Sequence, residues 1–179
     1  HAFDMLHWFF GESINVSGKL ATSIKQRPLP TSPDLQHVTS EDVCLANIEI
    51  SNFSSNLIPC QVSLSSISRN GRGFSLEIYG SEGSLILKSE NQKDYVHGFN
   101  LKYSNNENKI QNLTADSSFN FEKTWTDGRI APVLRIQNLW AESIFNKTPI
   151  IPGLSEGLAS HKVCEAIKES SKSGLNIKI

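Results

Sequence analysis

The sequence is short of cysteine, of charge excess and of long apolar runs, and each scarcity excludes something. Its 17 basic and 18 acidic side chains leave a net charge of −1. With no basic run either, nothing electrostatic points to nucleic acid. No apolar stretch approaches the roughly 20 residues that a membrane-spanning helix needs, so no membrane partner is expected. The three cysteines, Cys44, Cys60 and Cys164, are an odd number without C-x-x-C spacing. Zinc sites and disulfide frameworks need paired or clustered ligands, so neither is indicated. Cys44 and Cys60 sit in apolar runs where a reduced thiol behaves as a small hydrophobe, and a reducing, cytoplasmic compartment follows. His37, His97 and His161 lack acidic or cysteine neighbours at ligand spacing, so no metal is expected.

What is present is a globular composition. Hydrophobic residues make up 38% of 179 positions, enough for a single domain spanning 1–179 with its own core. Phe3 to Phe10 reads as a helix stopped by Gly11. Ile14 to Ile24 reads as a strand, and Arg27 to Pro33, with three prolines, as a surface loop. Val43–Ile50 and Cys60–Ile67 alternate with the period of a half-buried strand. Phe74–Tyr79 and Ser84–Leu87 read as a hairpin across the four residues Gly80–Gly83, followed by strands over Tyr95–Tyr103 and Ile110–Leu113. The pattern then turns helical. Val133, Ile136, Trp140 and Ile144 form one stripe; Ser155–Ser171 forms a helix burying Leu158, Val163, Ala166 and Ile167. Gly174 closes that helix before a last strand from Leu175 to Ile179. The fold class is α+β: a largely antiparallel open sheet with helices on one face.

The chain opens directly on the helical run His1-Ala-Phe-Asp4-Met-Leu-His-Trp8-Phe-Phe-Gly11, with no cap or loop before it. A first helical turn needs partners for its N–H groups, so residues are expected to be missing upstream. The spacing His1-x-x-Asp4-x-x-x-Trp8-x-x-Gly11 is similar to the H-x-x-D-x-x-x-W-x-x-G helix of the Gfo/Idh/MocA oxidoreductases (glucose–fructose oxidoreductase, inositol dehydrogenase and relatives). Two further motifs agree, in order. Ile78-Tyr-Gly80-Ser-Glu-Gly83-Ser-Leu85 resembles the family's hairpin, and Val163-x-Glu165-Ala166-Ile167-x-x-Ser170-x-x-x-Gly174-x-x-Ile177 resembles its closing helix and strand.

The resemblance implies the family's C-terminal domain, with the architecture of the glyceraldehyde-3-phosphate dehydrogenase C-terminal domain. It also implies that an N-terminal Rossmann domain, which would bind NAD or NADP and supply a lysine from Glu-Lys-Pro, is absent from the chain. No G-x-G-x-x-G follows a strand here; Glu122-Lys123-Thr124 is the nearest approach to Glu-Lys-Pro and stands in a polar turn. The implied function is the substrate-binding and oligomerisation half of an NAD(P)-dependent dehydrogenase. Its small-molecule substrate would be a sugar, a cyclitol or a related hydroxy or keto compound. Alone, this half would bind no cofactor and be inactive. A non-enzymatic binding or assembly module that keeps the fold is the alternative.

In this resemblance His1 is the catalytic proton-transfer residue, a role suited to an imidazole whose ordinary pKa is about 6.5. A histidine at that place by chance is the plain alternative, against which Asp4, Trp8 and Gly11 weigh. Asp4 either orients a substrate hydroxyl or serves the helix dipole. His7 and Trp8 read as packing and rim residues. Trp125 and Arg129, in Trp125-Thr-Asp127-Gly-Arg129, are substrate-binding candidates, since binding residues favour loops on a scaffold; an ordinary polar connection is the alternative. The open sheet face, with Ser63, Ser65 and Glu77 outward, is the expected surface of a homo-oligomer.

Overall fold

The computed structural model describes residues 1–71, 73–89, 91, 98–105, 109–114 and 116–179. These form two compact units, one of His1–Ser68 with Ile151–Ile179 and the other of Arg69–Ile150.

The first unit begins with helix α1 (Ala2–Phe10) and strand β1 (Glu12–Ala21). A ribbon follows, β2 (Gln26–Leu29) with β3 (Ser32–His37), then β4 (Val43–Ser51) and β5 (Leu57–Ser65). Helix α3 (Leu154–Ser173) and strand β10 (Ile177–Lys178), near the C-terminal end of the chain, complete this unit. The main sheet runs β10-β1-β4-β5 with every pair antiparallel. Alternation decides its faces. Along β4, Ala46, Ile48 and Ile50 are buried while Leu45, Asn47 and Glu49 are exposed. Register places Val16 opposite Ile48, and Ile48 opposite Cys60, so the apolar sets share one face.

Against that face lies α3, whose Val163, Ala166 and Ile167 recur at helical spacing and are buried. Each such aliphatic side chain contributes about 1.5–3 kcal/mol on leaving water. Leu158, expected inside, is 56% exposed, because the buried run of α3 starts one turn later. The helix approaches β1 at Gly18, where an added Cβ would stand 2.9 Å from Ile167 Cγ2. Its entry is fixed by Glu156, whose carboxylate accepts the Gly153 N–H at 2.6 Å.

The proline-rich stretch expected as a loop is a two-stranded ribbon, with Pro28 opposite Leu35. Each strand of an isolated pair keeps one unpaired edge, where a residue without N–H does no harm. Asp42 anchors the ribbon's root. Its carboxylate accepts the N–H groups of Ser23 at 2.7 Å and Ile24 at 2.9 Å, with Arg27 at 3.7 Å.

The second unit contains β6 (Phe74–Gly80), β7 (Gly83–Ser89), β8 (Phe99–Asn105) and β9 (Ile110–Leu113), an antiparallel meander in that order. The expected four-residue hairpin connection is tighter: Gly80 and Gly83 pair, leaving only Ser81 and Glu82 in the turn. Gly83 has a φ of 153° and faces the Ser104 carbonyl so closely that a Cβ would collide with it. The strand expected from Tyr95 begins at Phe99; Tyr95 and His97 lie outside the described residues. Helix α2 (Ile130–Asn146) accepts Pro132 in its first turn, where the missing N–H has no helical partner to lose. Its stripe of Val133, Ile136, Trp140 and Ile144 is exposed, and Ala131 is its buried residue. The α+β class and antiparallel pairing therefore hold, with the strands divided between the main sheet, the ribbon and the meander.

Candidate functional site

Helix α1 is short and apolar, and it buries Phe3 and Leu6. His1 occupies its N-cap position. The main-chain carbonyl of His1 accepts the Met5 N–H at 3.0 Å, while the imidazole makes no capping bond and is exposed. Asp4 lies in the first turn, three positions on and half-buried, so the two polar groups share one edge of the helix. Trp8 is 76% exposed.

The turn out of α1 explains the glycine of the opening motif. Gly11 has a φ of 111°, and a Cβ there would run into the Ser51 carbonyl oxygen. Its N–H is donated to the His7 carbonyl at 3.0 Å. Past that turn, at the start of β1, His7 Nε2 meets Ser13 Oγ at 2.8 Å. Burial holds the His7 imidazole below the ordinary histidine range, opposed by the nearby carboxylates of Asp4 and Glu12. The partnership between His7 and Ser13 had no sequence signal. It exists only because the Gly11 turn and the bulge between Ser13 and Asn15 aim Ser13 at the helix.

Trp125 and Arg129 belong to the second unit, in the connection before α2. Trp125 is half-buried, with Lys123 Nζ 5.0 Å from its ring centroid. Arg129 is held by Asp127: Nε donates to Oδ1 at 2.8 Å and Nη2 to Oδ2 at 2.6 Å, while the Arg129 main-chain N–H also reaches Oδ1 at 3.0 Å. The structure thus places the four candidates as two local pairs, His1 with Asp4 on one helical turn and Trp125 with Arg129 in one connection.

Two hollows of about 360 and 510 Å³ lie on the main sheet around Ser17, Asn47 and Gln61, and none of the four candidates lines them. Among the described residues no group of three or more His, Cys, Asp and Glu gathers as a metal site. The three cysteines are free and half-buried, and burial raises the thiol pKa of Cys44 and Cys60 above the ordinary range. A dinucleotide needs a glycine-rich turn between a strand and the helix of a parallel unit. Every strand pair among the described residues is antiparallel, so the residues present do not fit that cofactor.

Comparison with known proteins agrees with this geometry. Residues 1–179 match the family model described as the oxidoreductase family, C-terminal alpha/beta domain. An uncharacterized oxidoreductase of Synechocystis is 39% identical over 171 residues, which is 95% of this chain and 45% of that protein. An NAD binding oxidoreductase from Klebsiella pneumoniae superposes with a TM-score of 0.76 at 19% identity, over 100% of this chain and 48% of its own. Levoglucosan dehydrogenase in complex with NADH and L-sorbose gives a TM-score of 0.71 at 17% identity, covering 98% of this chain and 47% of its own. The chain therefore spans about half the length of the relatives it matches. It belongs to the Gfo/Idh/MocA oxidoreductase family, as that family's C-terminal alpha/beta domain.

Proposed function

We propose that residues 1–179 act as one substrate-binding and oligomerisation domain of an NAD(P)-dependent dehydrogenase acting on a sugar, cyclitol or related hydroxy or keto compound. The observation that carries this reading is the family match along the whole chain, in proteins of about twice its length. Cofactor binding is assigned to the N-terminal Rossmann half, as NAD or NADP in the full-length protein. When bound, that group supplies the hydride chemistry, while this chain supplies the proton chemistry and part of the grip on the substrate.

His1 is the proposed proton-transfer residue at the substrate's hydroxyl or carbonyl oxygen. Its exposure and its freedom from capping duty leave the imidazole available for that role. Asp4, one turn along, orients a neighbouring hydroxyl as an acceptor. Trp125 supplies an apolar wall and Arg129 donors. The polar outer face of the main sheet is the proposed surface between copies, and the three free cysteines favour a reducing, cytoplasmic compartment.

The test is a pair of measurements. The full-length protein should reduce NAD⁺ or NADP⁺ with a sugar or cyclitol, and residues 1–179 alone should neither do so nor bind NADH or NADPH. Saturable nicotinamide binding by residues 1–179 would overturn the division of labour. A full-length protein that turns over no such substrate would favour the non-enzymatic reading.

A further inference from the structure

The outer face of the main sheet carries few charges, and register fixes where they stand. Ser17, Asn47 and Gln61 lie opposite one another and form a row across β1, β4 and β5. In the next row on one side, Glu49 stands on β4 beside Asn15; in the next row on the other, Lys19 stands on β1 beside Leu45. Both charged side chains are exposed. Asn15 Nδ2 donates to Glu49 Oε2 at 2.7 Å, so the carboxylate leans towards β1. The Lys19 ammonium has no acidic partner among the described residues. The face is concave at the middle row, since its two hollows share Ser17, Asn47 and Gln61.

A second copy laid on this face presents the same residues again, and the twofold axis decides which meets which. Aligned sheets pack with their strands nearly along one another, so the axis runs in the interface either across the strands or along them. Across the strands at the Lys19 row, it sets Lys19 on itself; at the Glu49 row, it sets Glu49 on itself. Along β1 or along β4 the same two clashes return, and between those strands Lys19 meets only Leu45. Along the Ser17–Asn47–Gln61 row neither charge meets its like. Each Lys19 then arrives over Asn15 of the partner subunit, about 4.8 Å across from Glu49 and on the side to which that carboxylate leans. Lys178 flanks Asn15 on the other side, in the edge strand, where its ammonium stays in water. The row on the axis meets itself through hydroxyl and amide groups, which are donors and acceptors at once, and the hollows leave room for bridging water.

We infer that a second copy of this chain docks on the outer face of the main sheet with the twofold axis along the Ser17–Asn47–Gln61 row, and that each Lys19 pairs with Glu49 of the partner subunit. Resting on the proposed oligomerisation role, this arrangement fixes the axis, the register and the ion pair that such a role leaves open. The same operation serves the two ends of the face. The ribbon of β2 and β3 springs from the Ala21–Val43 end, and the β4–β5 turn lies at the other end with Phe53 and Leu57 exposed. The twofold axis brings the ribbon end of one copy to the turn end of its partner.

The experiment uses the full-length protein and needs no turnover. Analytical ultracentrifugation over a dilution series gives the dimer Kd for wild type, Lys19→Glu, Glu49→Lys and the double exchange. Each single exchange should raise Kd by at least about tenfold, because it sets like charges together at two symmetric places. The double exchange, which restores opposite charges, should bring Kd back towards wild type. Asn47→Cys sets a thiol on the axis and alters neither charge. A short bismaleimide should therefore join two copies of that variant well above the wild-type level.

A dimer whose Kd ignores the single exchanges, or is not restored by the double exchange, overturns the pairing of Lys19 with Glu49 and the inference with it. A protein that stays dimeric without cross-linking through Asn47→Cys has its interface elsewhere, which overturns the inference and leaves the oligomerisation role intact. A monomeric wild type overturns both. Turnover of a sugar or cyclitol with NAD⁺ or NADP⁺, measured separately, decides the dehydrogenase reading whatever the oligomeric state.

Discussion

Ser170 Oγ accepts the main-chain N–H of Gly18 at 2.9 Å and donates to the Leu175 carbonyl at 2.6 Å, which joins helix α3 to the edge of β1. Strand β10 pairs with that edge at Asn15 and Val16, and the Ile179 N–H reaches the Ile14 carbonyl at 2.9 Å. Beyond it, Gly18 and Leu20 present N–H groups that no strand takes, and Ser170 and Ser171 of α3 accept them. The serine of the closing motif is thus a side-chain substitute for a strand. Gly174, four residues on, turns the chain from α3 towards β10 with a φ of 74°.

Replacing Ser170 with Ala should therefore cost about 1–3 kcal/mol, because a part-buried N–H and a carbonyl both lose their partner. Ser170 is 2% exposed, so water is a poor replacement. Ser171→Ala, which removes the half-buried bond to Leu20, should cost less. Urea unfolding of the two variants against wild type ranks them, and equal losses would show that the edge bonds do not distinguish the two serines.

Two glycines separate crowding from backbone strain. Gly18→Ala sets a methyl 2.9 Å from Ile167 Cγ2, whose β-branched side chain yields little, so a loss of about 1–3 kcal/mol is expected. Gly11→Ala meets a main-chain oxygen that cannot swing aside, and it also forces an L side chain into a φ of 111°. Its loss should be the larger. Thermal melts of both variants under one buffer condition check the order.

The strands of the main sheet were legible because period-two alternation is written residue by residue, as in β4 with Ala46, Ile48 and Ile50 inside. The ribbon was not. Prolines exclude a central strand, but they say nothing against an isolated pair, and the anchor at Asp42 lies 19 and 18 positions from Ser23 and Ile24, which it holds. The same limit applies to side-chain contacts. That His1 and Asp4 share a helical turn is readable because three positions along a helix is a local relation, whereas their proposed roles come from the family resemblance. The bond between His7 and Ser13 crosses a turn, and the fork of Asp127 onto Arg129 depends on main-chain geometry that residue spacing leaves open.

Acid should loosen the root of the ribbon. The N–H groups of Ser23 and Ile24 hold the Asp42 carboxyl below the ordinary carboxylate range, with Arg27 assisting. A depressed folded pKa means that the unfolded chain binds the proton first. The stabilisation is then complete above the unfolded pKa, about 3.9, and is lost as pH falls through the lower folded value. Asp42→Asn should lower stability at neutral pH and flatten the acid limb of the stability profile. An unfolding free energy measured from pH 7 downward decides it, and an unchanged acid limb in the variant would remove Asp42 from the account.

The proposed chemistry of His1 can be separated from its structural position. The carbonyl of His1 holds the Met5 N–H, a task any residue performs, while the exposed imidazole has no capping role. In the full-length protein His1→Ala should therefore leave stability within about 0.5 kcal/mol of wild type. Turnover should fall by about 10²–10⁴, the usual worth of a positioned proton-transfer group. Asp4→Asn keeps the shape and a carbonyl acceptor but removes the charge at the helix start, worth about 0.3–1 kcal/mol of stability. If Asp4 orients the substrate, this variant should raise KM more than it lowers kcat. A purely structural Asp4 would show the stability loss alone, with both kinetic constants near wild type. His1→Ala with full turnover would instead leave the proton transfer to a group elsewhere in the full-length protein.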